Sequence, residues 1–142
     1  MSRIINTESA GKERNFLIRT IVLAIRELAR QTGPSGEAPD LVAYIALSLR
    51  RVAETIDVSV NAWEKRGYWV KADRFRMDWM WTRAMADKLI TALQREDWGA
   101  IARLSAQATQ KFNKVKVSSH NRMGKPWVGA WKALKPRGET RN

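Results

Sequence analysis

The chain has 142 residues, no cysteine, a single histidine and a net charge of +12. That length suits one domain with a hydrophobic core of its own, and the lack of cysteine excludes disulfides, thiolate metal sites and cysteine nucleophiles. No uncharged apolar run approaches the length that spans a bilayer, and the opening MSRIINTESAGKERN lacks the apolar stretch of a signal peptide, so the expectation is a cytoplasmic protein without membrane partners.

Helical spacing dominates from the start, with no sustained strand-like alternation. Between Lys12 and Gln31, Ile18, Ile21, Ile25 and Leu28 share one face and Arg19, Arg26 and Arg30 another, which predicts an amphipathic helix. TGPSGEAPD breaks it, and Pro39 with Asp40 suits the first turn of a second helix running to Arg66. The stripe of that helix is Leu41, Ile45, Leu49, Val52, Ile56, Val60 and Trp63, with Arg50, Glu54, Asp57 and Asn61 opposite. Gly67 is placed to end it, because glycine takes the left-handed conformation without steric cost.

A third helix is expected from Lys71 to Arg95, its stripe being Ala72, Phe75, Trp79, Thr82, Ala86, Leu89 and Leu93. Asp97 can cap a fourth, Trp98 to Lys116, with Ile101, Leu104, Ala108, Phe112 and Val115 inward. A polar loop follows, then a short helix opened by Pro126. The predicted fold class is all-α: an antiparallel up-down-up-down four-helix bundle over residues 1–117, with a basic C-terminal appendage over residues 118–142 that contains a short fifth helix and folds back on the bundle.

Charge is concentrated late in the chain. Residues 103–142 hold 10 Lys and Arg against Glu139 alone, whereas residues 1–102 hold 16 against 13 Asp and Glu. An up-down-up-down arrangement would gather Lys12, Arg14, Lys65, Arg66, Lys71, Arg74, Arg76, Lys111, Lys114 and Lys116 at one pole. The tail cations Arg122, Lys125, Lys132 and Lys135 would emerge beside them, and Glu37, Asp40, Glu96 and Asp97 would sit at the other pole. A basic pole of this kind attracts the phosphates of RNA or DNA without reading sequence. Arg103, Gln107, Gln110 and Lys114 form a row on the fourth helix that would extend it. Tyr68 and Trp69, beside Gly67, are the candidate stacking platform; the competing expectation, stronger for Trp69, is that they close off the end of the core.

The third helix has a second apolar face, with Val70, Met77, Trp81 and Ala84 opposite the stripe and Met80 nearby. Something should pack there. The expected cover is the C-terminal segment, laying Trp127 and Trp131 on that face, alone or together with a second copy of the chain; Met77, Met80, Trp81, Trp127 and Trp131 are thus the candidate partner or self-association residues.

Catalytic constellations are not found. His120 lies in SSHNRMG without a second histidine or a supported nucleophile, Glu54 and Asp57 lack the Glu-x-x-His of di-iron bundles, Asp73, Asp78 and Asp87 point in different directions, and SAGKERN is not a phosphate loop. No catalytic residue, metal or cofactor is expected. In size, charge and helix count the chain resembles two kinds of small basic helical proteins: the accessory proteins of reverse-transcriptase systems, and the helical small subunits of CRISPR effector complexes. This likeness of outline, without a shared motif, implies a subunit that holds RNA or DNA against a protein partner in a larger complex. Two functions therefore stand side by side: a non-enzymatic nucleic-acid-binding or ribonucleoprotein accessory subunit, and a helical scaffold that binds protein partners or its own copies.

Overall fold

The computed structural model describes residues 7–118 and 120–134, and all regular structure among them is helical. The helices are α1 (Thr7–Ala29), α2 (Ala38–Lys65), α3 (Trp69–Trp79), α4 (Trp81–Gln94), α5 (Trp98–Lys111) and α6 (Ala130–Leu134). No helix among the described residues is long and apolar enough to cross a membrane.

α2 is the axis on which the others pack, and its sequence shows why. Its predicted stripe is buried from Leu41 through Val60, and Val42, Ala43, Ala46, Ala53 and Ser59 are buried on its flanks as well. Small residues on the flanks let α1 approach from one side and α3 and α4 from the other, so the large stripe residues are enclosed on several sides. Each fully buried Leu or Ile contributes roughly 1.5–3 kcal/mol from its removal from water.

Cross-helix pairs fix the directions. Arg51 donates to Glu13 at 2.6 Å and the Tyr44 hydroxyl to Thr20 Oγ1 at 2.7 Å, so α1 runs antiparallel to α2. Arg76 pairs with Glu64, Arg83 with Asp57 and Asp87 with Arg50, stepping down α2 as the chain advances through α3 and α4. These two helices thus act as one rod, although the sequence predicts a single helix there. The interruption is one residue, Met80, whose backbone stays near helical at φ −63° and ψ −20°. At that point the Thr82 hydroxyl donates to the Trp79 carbonyl at 2.8 Å, the same bond to the carbonyl three residues back that Thr20 and Thr55 make inside unbroken helices. The stripe keeps its phase across the break, with Ala72, Thr82, Ala86, Leu89 and Leu93 all buried.

The chain departs further from expectation after α4. Asp97 caps α5 as predicted, accepting from the Ala100 amide at 3.0 Å. α5 then stops at Lys111 rather than Lys116, with Phe112 as its C-cap residue, buried edge-on against Trp81. The Val117 carbonyl accepts from Arg26 at 3.1 Å, near the end of α1, so the chain has returned toward the α1–α2 loop. The segment beyond it docks on the start of α2. Trp127 is buried, its indole N–H donating to Glu37 Oε2 at 3.1 Å, and Asp40 accepts from the amides of Gly129 and Trp131, capping the start of α6 with a carboxylate from another helix. The C-terminal segment therefore folds back, but onto α2 and not onto the outer face of α3.

Candidate nucleic-acid interface

The α2–α3 corner is built by its backbone. Gly67 has φ +82°, its amide donates to the Glu64 carbonyl, and the Tyr68 amide donates to the Trp63 carbonyl at 2.9 Å. This is the paired bonding of a Schellman ending, which needs a left-handed residue at the position glycine fills. The turn leaves Tyr68 and Trp69 54% and 60% exposed, so Trp69 does not close off the core. α3 begins there with no side-chain cap and no acid in its first turn.

Cations flank Tyr68 and Trp69 along the chain. Lys65, Arg66, Lys71 and Arg74 are exposed, and none has a carboxylate partner among the described residues. Lys71 lies 4.4 Å from the Trp63 ring centroid, an arrangement that holds its stem while leaving its charge uncompensated. Arg76 differs. It donates to Glu64 and to Asp73, which raise its pKa, Glu64 more strongly, and bind it in place as an internal ion pair. Arg14 also stands near this end of the molecule, half-buried and bonded to Thr55 and Ser59 with its guanidinium over Phe75; burial lowers its pKa.

The other aromatics of this region are committed inward. Trp63 meets Phe75 edge-on at 4.9 Å, Phe75 adjoins Trp79, Trp79 stacks on Trp81, and Trp81 meets Phe112. This ladder ties α2, α3, α4 and the end of α5 together. It also corrects the assignment of Trp81, which is half-buried under Phe112 and Lys111 and belongs to no open patch.

Of the cations read from the sequence, the structure brings together Lys65, Arg66, Lys71 and Arg74, with Arg76 adjacent but paired. Lys111 sits over the Trp81 ring, about 18 Å further along the rod from Trp69. Lys114 and Lys116 lie on the chain reversal beyond it, and Arg103 lines the cleft between α4 and α5 with Asp87 and Asp97. Arg122, Lys125 and Lys132 belong to the segment docked at the far end, where Lys125 pairs with Glu37. α2 has 28 residues, so its two ends are about 40 Å apart. The single basic pole expected from the sequence is thereby divided, because α5 ends at Lys111, five residues short of Lys116, and the chain turns back. Lys135 lies outside the described residues.

The partner residues divide too. Met77 and Met80 are 71% and 68% exposed and, with Val70, form an apolar strip on α3, whereas Trp127 is buried at the far end and Trp131 packs beside it. Sequence reasoning missed Glu64 as a residue that pairs the charge of Arg76, whose side chain stays exposed. The Asp73–Arg76 spacing of three was readable as a helical pair, but Glu64 reaches Arg76 only across the turn.

An apolar groove of about 470 Å³ between α1 and α5 is lined by Ile25, Leu28, Trp98 and Ile101 and carries no ionisable side chain. No group of three or more His, Asp or Glu able to hold a metal occurs among the described residues. Comparison with family models, with curated proteins and with solved structures finds no match to this chain.

Proposed function

We propose that the protein is a non-enzymatic nucleic-acid-binding subunit, of the kind that accompanies RNA or DNA in a ribonucleoprotein, and that its contact surface is the α2–α3 corner. The observation that carries this reading is the grouping of Lys65, Arg66, Lys71 and Arg74, all without carboxylate partners among the described residues, around the exposed rings of Tyr68 and Trp69. Cations so placed neutralise phosphates and release counterions, giving affinity without sequence preference. A bundle of up-down-up-down topology would serve as the rigid support, with the docked C-terminal segment bracing the far end.

The test is direct. The chain should bind generic nucleic acid at low salt, and replacing the four cations together with Gln should weaken binding by on the order of a hundredfold. Undetectable binding by the unmodified chain at low salt would end this proposal. A second reading rests on the strip formed by Val70, Met77 and Met80, which suits a protein partner or a second copy and would make the chain a scaffold. Its measure is sedimentation, where a Met77→Glu variant should weaken any self-association that the parent shows.

A further inference from the structure

We infer that the α2–α3 corner takes unpaired rather than duplex nucleic acid, with a base stacked on the Trp69 indole and the neighbouring phosphates held by Lys65, Arg66, Lys71 and Arg74. This deepens the nucleic-acid reading of the corner and rests on it.

Trp63, Phe75, Trp79, Trp81 and Phe112 spend their faces and edges on one another, and Lys71, Arg14 and Lys111 lie over three of those rings. Neither Tyr68 nor Trp69 has a ring partner or a cation over it among the described residues, and both are more than half exposed. An exposed indole has π surface for a flat, electron-poor partner, and exposed cations at the end of α2 and the start of α3 supply counter-charge for the neighbouring phosphates. Every unpaired base offers such a face, while in a duplex those faces are covered by the neighbouring base pairs.

A helix that reads a duplex lies in the major groove with hydrogen-bonding side chains toward the base edges and cations toward the phosphate walls. Beyond its first turn the exposed positions of α3 are Asp73, Arg74, Arg76, Met77 and Asp78, with Met80 after them. Two of these are apolar and two are anions, and Arg76 is held by Glu64 and Asp73, which leaves Arg74 alone as a cation without an acid partner among the described residues. The unpaired cations keep to the end of α2 and the first turns of α3, on either side in sequence of an open cleft lined by Gly67, Tyr68, Trp69, Val70 and Lys71. That arrangement suits a strand crossing the corner better than a rod lying along the helix.

The experiment compares a short labelled oligothymidylate with a duplex of the same length, at one low salt concentration, on the full chain. Trp69→Ala should weaken binding of the single strand by roughly 5- to 150-fold, the range expected for one lost stacking partner, and leave duplex binding unchanged. Trp69→Phe should retain most of the single-strand affinity and Trp69→Leu should lose it, which separates a π face from mere apolar bulk. Equal losses on both probes, or an unaltered affinity of Trp69→Ala for the single strand, would overturn the inference and leave the phosphate-binding corner standing. If the four-cation Gln variant binds both probes as well as the parent does, the corner reading itself fails, and this inference with it. Far-UV circular dichroism on each variant shows that the helices are retained, as the exposure of Trp69 predicts.

Discussion

The α2–α3 corner and the far end of the molecule are made of the same residue types and use them in opposite ways. At the far end Trp127 is 2% exposed, its indole N–H is bound by Glu37, and Lys125 pairs with the same carboxylate. At the corner Trp69 is 60% exposed and the nearby cations Lys65, Arg66, Lys71 and Arg74 have no carboxylate among the described residues. The difference lies in where the acids are. Glu37 and Asp40 in and before the first turn of α2 supply acceptors that draw the C-terminal segment down, and that segment then covers its own tryptophan. The end of α2 has Glu64, but Glu64 is spent on Arg76. Tryptophan beside lysine is core where carboxylates receive its indole and the neighbouring backbone, and surface at the corner, where Glu64 and Asp73 are spent on Arg76.

The same substitution at the two tryptophans should expose this contrast most strongly. Trp127→Ala should cost about 3–5 kcal/mol, the usual loss for a buried Trp or Phe cut to Ala, whereas Trp69→Ala should stay within about 0.5 kcal/mol as a surface change. Denaturant unfolding of both variants measures it, and similar costs would mean that the two ends are not packed differently. Asp40→Ala is the next effect in size. It strips the acceptors from the Gly129 and Trp131 amides, so stability should fall by roughly 1–3 kcal/mol, with amide exchange of residues 127–134 accelerating ahead of the bundle. Exchange that rises evenly across all helices would assign Asp40 to the global fold instead of to docking. The smallest effect concerns Arg76. Removing its acids with Glu64→Gln and Asp73→Asn frees one cation and deletes two anions beside the corner, so nucleic-acid affinity should rise by a few-fold at low salt and the gain should vanish as salt screens it. A loss of affinity would show that the two acids position the site.

Local signals were the legible part of this chain. The stripe of α2, Gly67 as a helix stop and Asp97 as a cap follow from residue spacing and backbone sterics within a few residues of each, and the structure has all three. The core phase of α3 and α4 was legible as well, although the break at Met80 was not, because it involves a threonine hydroxyl of a kind that Thr20 and Thr55 also use without breaking their helices. What sequence spacing could not supply was the length of α5. Its apolar pattern runs on through Val115, whereas the helix ends at Lys111, with Phe112 packed against Trp81 from another helix. That one event moves the C-terminal segment to the far end and removes Lys114, Lys116, Arg122, Lys125 and Lys132 from the company of Lys65 and Arg66. For the site, the membership of Tyr68, Trp69 and the four cations was readable, whereas their exposure depended on which neighbours the fold had already used.

The central claim is that the corner, and not the docked C-terminal segment, supplies the phosphate contacts. The measurement that tests it is the salt dependence of single-strand affinity for the parent chain, for Lys65, Arg66, Lys71 and Arg74 changed together to Gln, and for Arg122, Lys125 and Lys132 changed together to Gln. Four phosphate contacts correspond to a slope of about −3 in a plot of log affinity against log salt. The account predicts that the corner variant loses nearly all of that slope while the C-terminal variant keeps it; a slope that survives in the corner variant and collapses in the C-terminal one would contradict it.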